Sequence, residues 1–597
     1  MSFKPMDHYQ QLYGHYSNAY QKNRKRLNGV AILRVITFLA AVYFGYQLIS
    51  FHLWLGLAFV AVMLSIFIFL VIRYHNHKQS LALLGNLIRI NANEIEALRG
   101  HFRNFEDGSD LADHRHAFAT DLELFGEGSL YQYINRTSTY AGKNQLGHWL
   151  KNPLRREEDI KARQQAVHEL KEMLTWRQTF IAIGYHLKPE QYQDTRLIAW
   201  SKERPSIGKN KTFRLFRWLL PLLTITVLVL LITGHLPLGY LLLVLAANLF
   251  VLHRVSKKVN TQHNRVTKQL ATLRNYSLLF RHIENHHFQS AALHEFKGHF
   301  YSGKMAASKI IRKLSRISDA LDNRISPVLG QLLNLVFLWD IHQAIRLEKW
   351  HGRYAAHIEE WIAVLGSFDA YISLASFAYN HEDFNFPQIS NSTIFSSVSL
   401  GHPLIPENKR VANDLTINRK GAIMIITGAN MAGKSTFLRT IGVNLVLAMA
   451  GSVVCARDMH FRITRLFTSM NIIDSLSRNE SYFYAEIKRL KQLTDHVMNT
   501  EHLFVLLDEI LTGTNTRDKE KASKAFLKRL VEMQVTSVIA THDLSLTTLE
   551  EDYPRAIRNA SFEVELEHGQ MRYDYKLRQG VARNMNALDL LRDMGLI

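Results

Sequence analysis

Residues 428–436 read Gly428, Ala429, Asn430, Met431, Ala432, Gly433, Lys434, Ser435 and Thr436. This is G-x-x-x-x-G-K-[ST], the spacing of a phosphate-binding loop. Glycines let the backbone curl so that its N–H groups converge on phosphate oxygens. Lys434 brings a point charge to the β- and γ-phosphates, and the Ser435 hydroxyl is a ligand for Mg²⁺. The chemistry indicated is binding of a nucleoside triphosphate.

Further along, residues 503–507 form an apolar run that ends in Asp508 and Glu509. A buried strand ending in two acids, downstream of a phosphate loop, is the Walker B arrangement. Asp508 is expected to hold Mg²⁺ through water, and Glu509 to orient the attacking water. A third strand-like run, 536–540, ends in Thr541 and His542, which places a histidine where it can sense the γ-phosphate or position water. Gly513, Thr514, Asn515, Thr516 and Asp518 make a polar loop suited to contacts across a dimer interface.

These side chains stand at the ends of strand-like runs. Residues 423–427 are apolar and β-rich and feed the loop, and a helical pattern follows, so the context is strand, loop, helix. The helix N-terminus favours an anion. Upstream, 80–200 and 259–380 read as helix, with amphipathic examples at 267–282 and 328–346; Ser326 and Pro327 suit the start of the latter. At 385–397 the composition turns to Asn, Ser and Pro, and strand-like runs begin.

At 597 residues the chain is too long for one core. Its single cysteine, Cys455, excludes an intrachain disulfide and a cysteine zinc site, and fits a reducing compartment. The net charge of +20 suits nucleic acid or an anionic membrane surface. Two regions have almost no charge. The first, about 30–72, is twice the ~20 residues a membrane helix needs, and reads as a hairpin with a turn near 50–52. It is too long for a cleaved signal peptide. The second, 215–253, is split by Gly234, His235, Leu236 and Pro237 and reads as another hairpin. Basic clusters at 22–26, 73–78, 209–217 and 254–258 flank both, which places all these ends on the cytoplasmic side.

The segments GANMAGKST, LLDEILTGTNTRD and ATHD together resemble the MutS family of mismatch-repair ATPases, a branch of the ABC ATPase class. Residues 401–415 resemble the segment that family places before its phosphate loop, and 474–486 its signature loop, with Asp474, Leu476, Ser481, Phe483 and Glu486 kept. Residues 121–170 are similar to the start of its helical core domain, and 575–596 to its closing segment. The resemblance implies ATP as the nucleotide, Mg²⁺ as cofactor, and a homodimer in which Ser481 reaches the partner's γ-phosphate. It also implies that Arg410 stands where an aromatic residue flanks adenine. Ala429 and Ala432 replace the family's Pro and second Gly, and Asn479 and Tyr482 replace its signature Gly and Thr. No counterpart of the mismatch-sensing Phe-x-Glu wedge occurs within residues 1–120.

The expected architecture is therefore multidomain: a C-terminal α/β P-loop ATPase of ABC type, an α-helical core and lever domain, and two transmembrane helical hairpins. The expected segments are a basic cytoplasmic tail (1–28), hairpin one (29–74), a helical connector and first core part (75–214), hairpin two (215–253), a helical lever (254–390) and the ATPase domain with its dimerisation segment (391–597). The expected protein sits in a bacterial inner membrane through four helices, with its ATPase in the cytoplasm. ATP turnover is coupled to DNA, repair-related or branched structures included. The alternative is a membrane mechanochemical or scaffold ATPase without DNA recognition.

Overall fold

The first apolar region folds into two helices, α1 (Pro5–Phe51) and α2 (Leu53–Leu98), in a computed structural model of the chain. The structure describes all residues except 1–3, 114, 186–192, 204–210, 323–328, 430, 471–481, 499–501, 512–515, 568–569 and 583–597. His52 takes extended angles and ends α1, which places the turn inside the expected 50–52. The helices pair antiparallel: Phe38 meets Phe67 at 6.1 Å, and the Arg34 guanidinium lies over the Tyr74 ring at 4.8 Å. Both run well past their apolar stretches.

The second region forms α3 (Lys211–Ile232) and α4 (Leu238–Glu284), joined by a turn that includes Gly234. No boundary separates the apolar part of α4 from the expected 267–282 helix; they are one helix. Beyond the apolar part its buried residues recur at Val255, Val259, Val266, Leu270, Leu273 and Phe280, the stripe of an amphipathic helix. Among the described residues, five stretches are long and apolar enough to cross a membrane by length and composition. In the four belonging to α1–α4, only 6–22% of the apolar window is buried; in the fifth, within Trp339–Asn380, 94% is buried, so that one is core.

These helices belong to a unit comprising Met1–Ile95, Thr137–Lys143 and Thr175–Asp369. It also holds α5 (Ala307–Asp322), α6 (Leu329–Phe337) and α7 (Trp339–Tyr354), and most of α8 (Ile358–Asn380). The single helix expected over 328–346 is instead broken at Leu338, whose φ is +50°. Ser326 and Pro327 lie outside the described residues. Within this unit Asp369 of α8 is fully buried. It accepts from Ser138 N at 2.9 Å, Thr139 N at 2.7 Å and Thr139 Oγ1 at 2.7 Å. Burial pushes its carboxyl up to about 7, although these donors pull the other way.

The second unit comprises Glu96–Arg136, Asn144–Leu174 and Ala370–Ile597. Residues 99–113 and 115–129, expected as helix, instead form turns and irregular backbone with one short helical turn, Ser109–Leu111. Asp107 and Asp113 accept from the N–H groups of Ser109 and Arg115, and such local bonds compete with a helix. The segment is tied to the sheet unit: Thr468 Oγ1 donates to Asp121 Oδ2 at 2.6 Å, and Arg489 Nη2 to Ala117 O at 2.8 Å.

The main sheet of this unit contains β1 (Ile423–Gly428), β2 (Arg465–Ser469), β3 (Leu503–Asp508), β4 (Thr536–Ala540), β5 (Ile557–Glu567) and β6 (Gln570–Gln579). Their order is β6-β5-β1-β4-β3-β2, with β1 to β5 parallel and β6 antiparallel at the edge. Strands buried on both faces read as continuous apolar runs, as 503–507 does. Val505 and Leu507 face a cluster with Leu490 and Leu493 of α10 (Tyr482–Met498) and Leu527 and Leu530 of α11 (Thr516–Glu532). On the opposite face lies α9 (Lys434–Met449). A smaller sheet pairs Gln388–Ile389, Asp458–Phe461, Phe395–Leu400 and Asn413–Ile417 in that order.

Replacing the buried acceptor by Asp369→Ala strands the Ser138 and Thr139 donors. The expected cost is about 3 kcal/mol, read as a lower unfolding midpoint of the full chain in detergent. An unchanged midpoint would refute the role given to Asp369.

Candidate functional site

The central strand β1 lies between β4 and β5, so chain order reverses on either side of it. In open α/β sheets that point, at the carboxyl ends of the strands, is where a crevice forms. The glycine loop leaves β1 there. Gly428 has φ +155°, and a Cβ on it would stand 2.6 Å from Phe562 O of β5. Gly433 has φ +98°, with Tyr575 Cδ1 at 3.1 Å from its virtual Cβ. Both positions therefore require glycine. Ala432 is buried, and Met431 is 76% exposed with φ +66°. Asn430 lies outside the described residues.

Helix α9 begins at Lys434 with no side-chain cap and no acid in its first turn. Its N–H groups and dipole face the loop, an arrangement that favours an anion. Lys434 is buried, and its Nζ donates to Gly428 O at 2.8 Å and Ala429 O at 3.0 Å. Burial holds its pKa below the usual lysine value, against the pull of Glu509 and Asp508. A phosphate oxygen would be a stronger partner for this ammonium than two neutral carbonyls.

Parallel pairing sets Asp508 beside Ala540, so the two strands end together. Asp508 is hydrogen-bonded by the Ser435 side chain, while its buried Oδ1 has no protein partner. Burial raises its pKa. A hard cation takes oxygen ligands and would relieve both the open lone pairs and the buried charge. Ser435 and Asp508 therefore fit Mg²⁺. Among the described residues no group of three or more His, Cys, Asp or Glu could hold a metal. A site completed by phosphate and water does not need one.

Glu509 has φ +46° and is pinned by its N–H to Ala540 O at 2.9 Å. Such conformations gather at functional sites. Its Oε2 lies 2.9 Å from Nδ1 of His542, on the turn after β4. Glu486 of α10, fully buried, accepts from Leu511 N and so braces the turn that follows Glu509. Ser481 and residues 513–515 lie outside the described residues.

Ala429, Met431, Gly433, Lys434, Ser435, Thr436 and Glu509 line a cleft of about 410 Å³. Its other wall includes Ile405, Lys409, Val411, Phe437, Phe562 and Tyr575. Burial beside Arg439 and Arg410 pushes His402, also in the wall, down to about 4, so it is neutral. Thus the loop, Asp508, Glu509 and His542 come together.

Arg410 does not join them, which corrects the expectation that it faces a base. Its Nη1 lies 3.2 Å from Asp383 Oδ2 and 2.7 Å from Cys455 Sγ, and its guanidinium stacks over Phe384 at 5.1 Å. Those partners hold it out of the cleft wall, where its neighbours Lys409 and Val411 stand. The aromatics that do line the cleft are Phe437, Phe562 and Tyr575, the last on β6. Tyr575 was within the quoted closing segment, but nothing local marks it; only pairing of β6 with β5 carries it back to the loop.

Tyr575→Ala is expected to weaken triphosphate binding about tenfold, near 1.4 kcal/mol, through lost ring contact. Arg410→Ala is expected to leave affinity within about twofold while lowering thermal stability, since a charged hydrogen bond is worth roughly 2 kcal/mol. Titration with a fluorescent ATP analogue measures both; the reverse pattern would restore Arg410 to the site.

Comparison with known proteins agrees with the resemblance. Residues 117–375 match the family model for MutS domain III, and 424–595 match that for MutS domain V. The chain is similar to a DNA mismatch repair protein MutS of Lysinibacillus sphaericus, 28% identical over 235 residues, 38% of this chain and 27% of that protein. It is similar to Endonuclease MutS2 of Thermus thermophilus, 32% identical over 196 residues, 33% of this chain and 25% of that one. It also resembles human MutS protein homolog 4, 32% identical over 195 residues, 31% of this chain and 20% of that one. The matched part spans about a quarter of the length of these curated relatives. With both a helical MutS domain III and an α/β MutS domain V in one chain, the protein belongs to the MutS family.

Proposed function

We propose that this protein is a membrane-anchored, MutS-like ATPase of P-loop type that works as a homodimer. The observation that carries this reading is the convergence of Lys434, Ser435, Asp508 and Glu509 at the carboxyl ends of adjacent parallel strands, with His542 on Glu509. The curated relatives' names support the family engine.

ATP lies along the glycine loop, with its base toward Tyr575. Backbone N–H groups of the loop and the start of α9 hold its phosphates, and Lys434 leaves its two carbonyls to meet the γ-phosphate. Ser435 and Asp508 would hold Mg²⁺, which when bound would offset phosphate charge. Glu509 orients a water for in-line attack, and His542 fixes the carboxylate by its 2.9 Å contact. Ser481 of the partner subunit completes the site.

The four exposed apolar helical stretches support anchoring in a bilayer, with the flanking basic clusters on the cytoplasmic side of a bacterial inner membrane. The names of the relatives support DNA as the partner, met by phosphate contacts. A second reading is a mechanochemical ATPase without DNA, favoured by basic clusters at the hairpins that serve membrane topology.

Glu509→Gln is expected to bind ATP normally and to lose hydrolysis by about a hundredfold or more. Lys434→Ala is expected to weaken nucleotide binding itself. Steady-state turnover and analogue titration separate the two, and normal turnover in Glu509→Gln would remove its assigned role. For the partner, duplex and branched DNA are expected to bind the detergent-solubilised protein with steep salt dependence and to alter turnover. Absence of both effects at moderate salt selects the DNA-free reading.

A further inference from the structure

We infer that the short helix α6 (Leu329–Phe337) is embedded in the hydrocarbon of the cytoplasmic leaflet, docked on the second helical hairpin. This rests on the membrane reading of α3 and α4 proposed above.

Helix α6 has 9 residues, LGQLLNLVF, with no charge. At about 14 Å it is far too short to span a ~30 Å hydrocarbon core, so length alone does not mark it. Yet Leu332 is 55% exposed and Phe337 is 42% exposed, while the helix packs against both α3 and α4. The exposed side chains described on this helix are Leu332, Phe337 and Gln331, two of them apolar.

A polar latch joins them. Asn248, in the apolar part of α4, is fully buried. Its Nδ2 donates to Leu335 O of α6 at 2.8 Å and to Thr224 Oγ1 of α3 at 3.0 Å. An amide in an apolar span is costly unless bonded, and the last carbonyls of a helix in hydrocarbon need a partner. The Nδ2 donor meets the carbonyl's requirement, while Asn248 Oδ1 is buried without a hydrogen-bond partner. Asn248 lies about 9 Å of helix from Arg254, and Thr224 about 10 Å from Arg217. Both are therefore within the ~15 Å half-thickness next to the basic ends.

The way out is also satisfied. At the Leu338 break, Leu338 N donates to Asn334 O at 3.0 Å and Asp340 N to Asn334 Oδ1 at 2.8 Å. Next, His342 Nε2 lies 2.7 Å from Arg217 O and its ring packs on Trp218 at 4.9 Å. Arg217 and Trp218 thus form the mix of cation and tryptophan that sits at a membrane–water interface.

The full chain with Cys455→Ala provides a cysteine-free background, since Cys455 is the only cysteine. Single variants Leu332→Cys and Phe337→Cys on α6, Leu243→Cys on α4 and Lys309→Cys on α5 are spin-labelled and reconstituted in phosphatidylethanolamine–phosphatidylglycerol vesicles. Collisions with oxygen and with a water-soluble nickel complex are then compared. Labels at 332, 337 and 243 are expected to favour oxygen, and the label at 309 to favour nickel. Adding Asn248→Leu is expected to raise nickel access at 332 and leave 243 unchanged. Nickel access at 332 and 337 with 243 still in lipid overturns the inference alone. Shielding of 332 from both reagents also overturns it, in favour of a protein partner. Nickel access at 243 overturns the membrane reading itself, and an unchanged 332 in Asn248→Leu overturns the latch.

Discussion

Parallel pairing of β1 with β4 on one side and β5 on the other is the constraint on which the site depends. It brings residues more than a hundred positions apart to one end of one sheet. The loop after β1, the acids after β3 and the histidine after β4 then share a few ångströms without any helix or loop having to reach. The same pairing explains why Gly428 tolerates no side chain, since the carbonyl of Phe562 on β5 occupies that space.

The electrostatics of the site follow from burial. Lys434 and Asp508 are charges of opposite sign taken out of water, yet neither neutralises the other through a direct bond. Lys434 is held by two backbone carbonyls, and Asp508 by a hydroxyl with one oxygen left over. Buried charges so incompletely paired are unfavourable in isolation. A triphosphate with its cation would supply the missing partners of both, so binding energy would come from groups already in place rather than from new folding. Glu509 adds a strained backbone held by one strand hydrogen bond, which keeps its carboxylate on His542.

The other unit poses the opposite problem. Its first two helix pairs expose apolar surface along their apolar stretches, where Thr37 Oγ1 donates to Leu33 O and Asn248 Nδ2 to Leu335 O. In α4 the change from an all-round apolar helix to a one-sided stripe happens without a break. Asp369 shows the cost of polarity inside the same unit: the hydrogen bonds from Ser138 and Thr139 do not outweigh its burial.

Local chemistry was enough for much of this. The phosphate loop, the acid pair and the histidine were legible because each is a short pattern at the end of an apolar strand, and strand and pattern agree. The hairpin turns were legible because lack of charge over such lengths has few causes. Three features escaped. The 99–129 segment has side chains that bond their own backbone, which composition does not distinguish from a polar helix face. The break at Leu338 lies inside an unbroken apolar periodicity. Arg410 and Tyr575 exchanged places relative to the cleft because Asp383, Phe384 and Cys455 capture the guanidinium, and the β5–β6 hairpin returns the ring. The sequence by itself determined the glycine loop, the acid pair and the histidine as patterns at strand ends, and which stretches lack charge, since both depend on neighbours in the chain. Only the tertiary structure decided which side chains face the cleft, because that depends on partners brought together by strand pairing across more than a hundred residues.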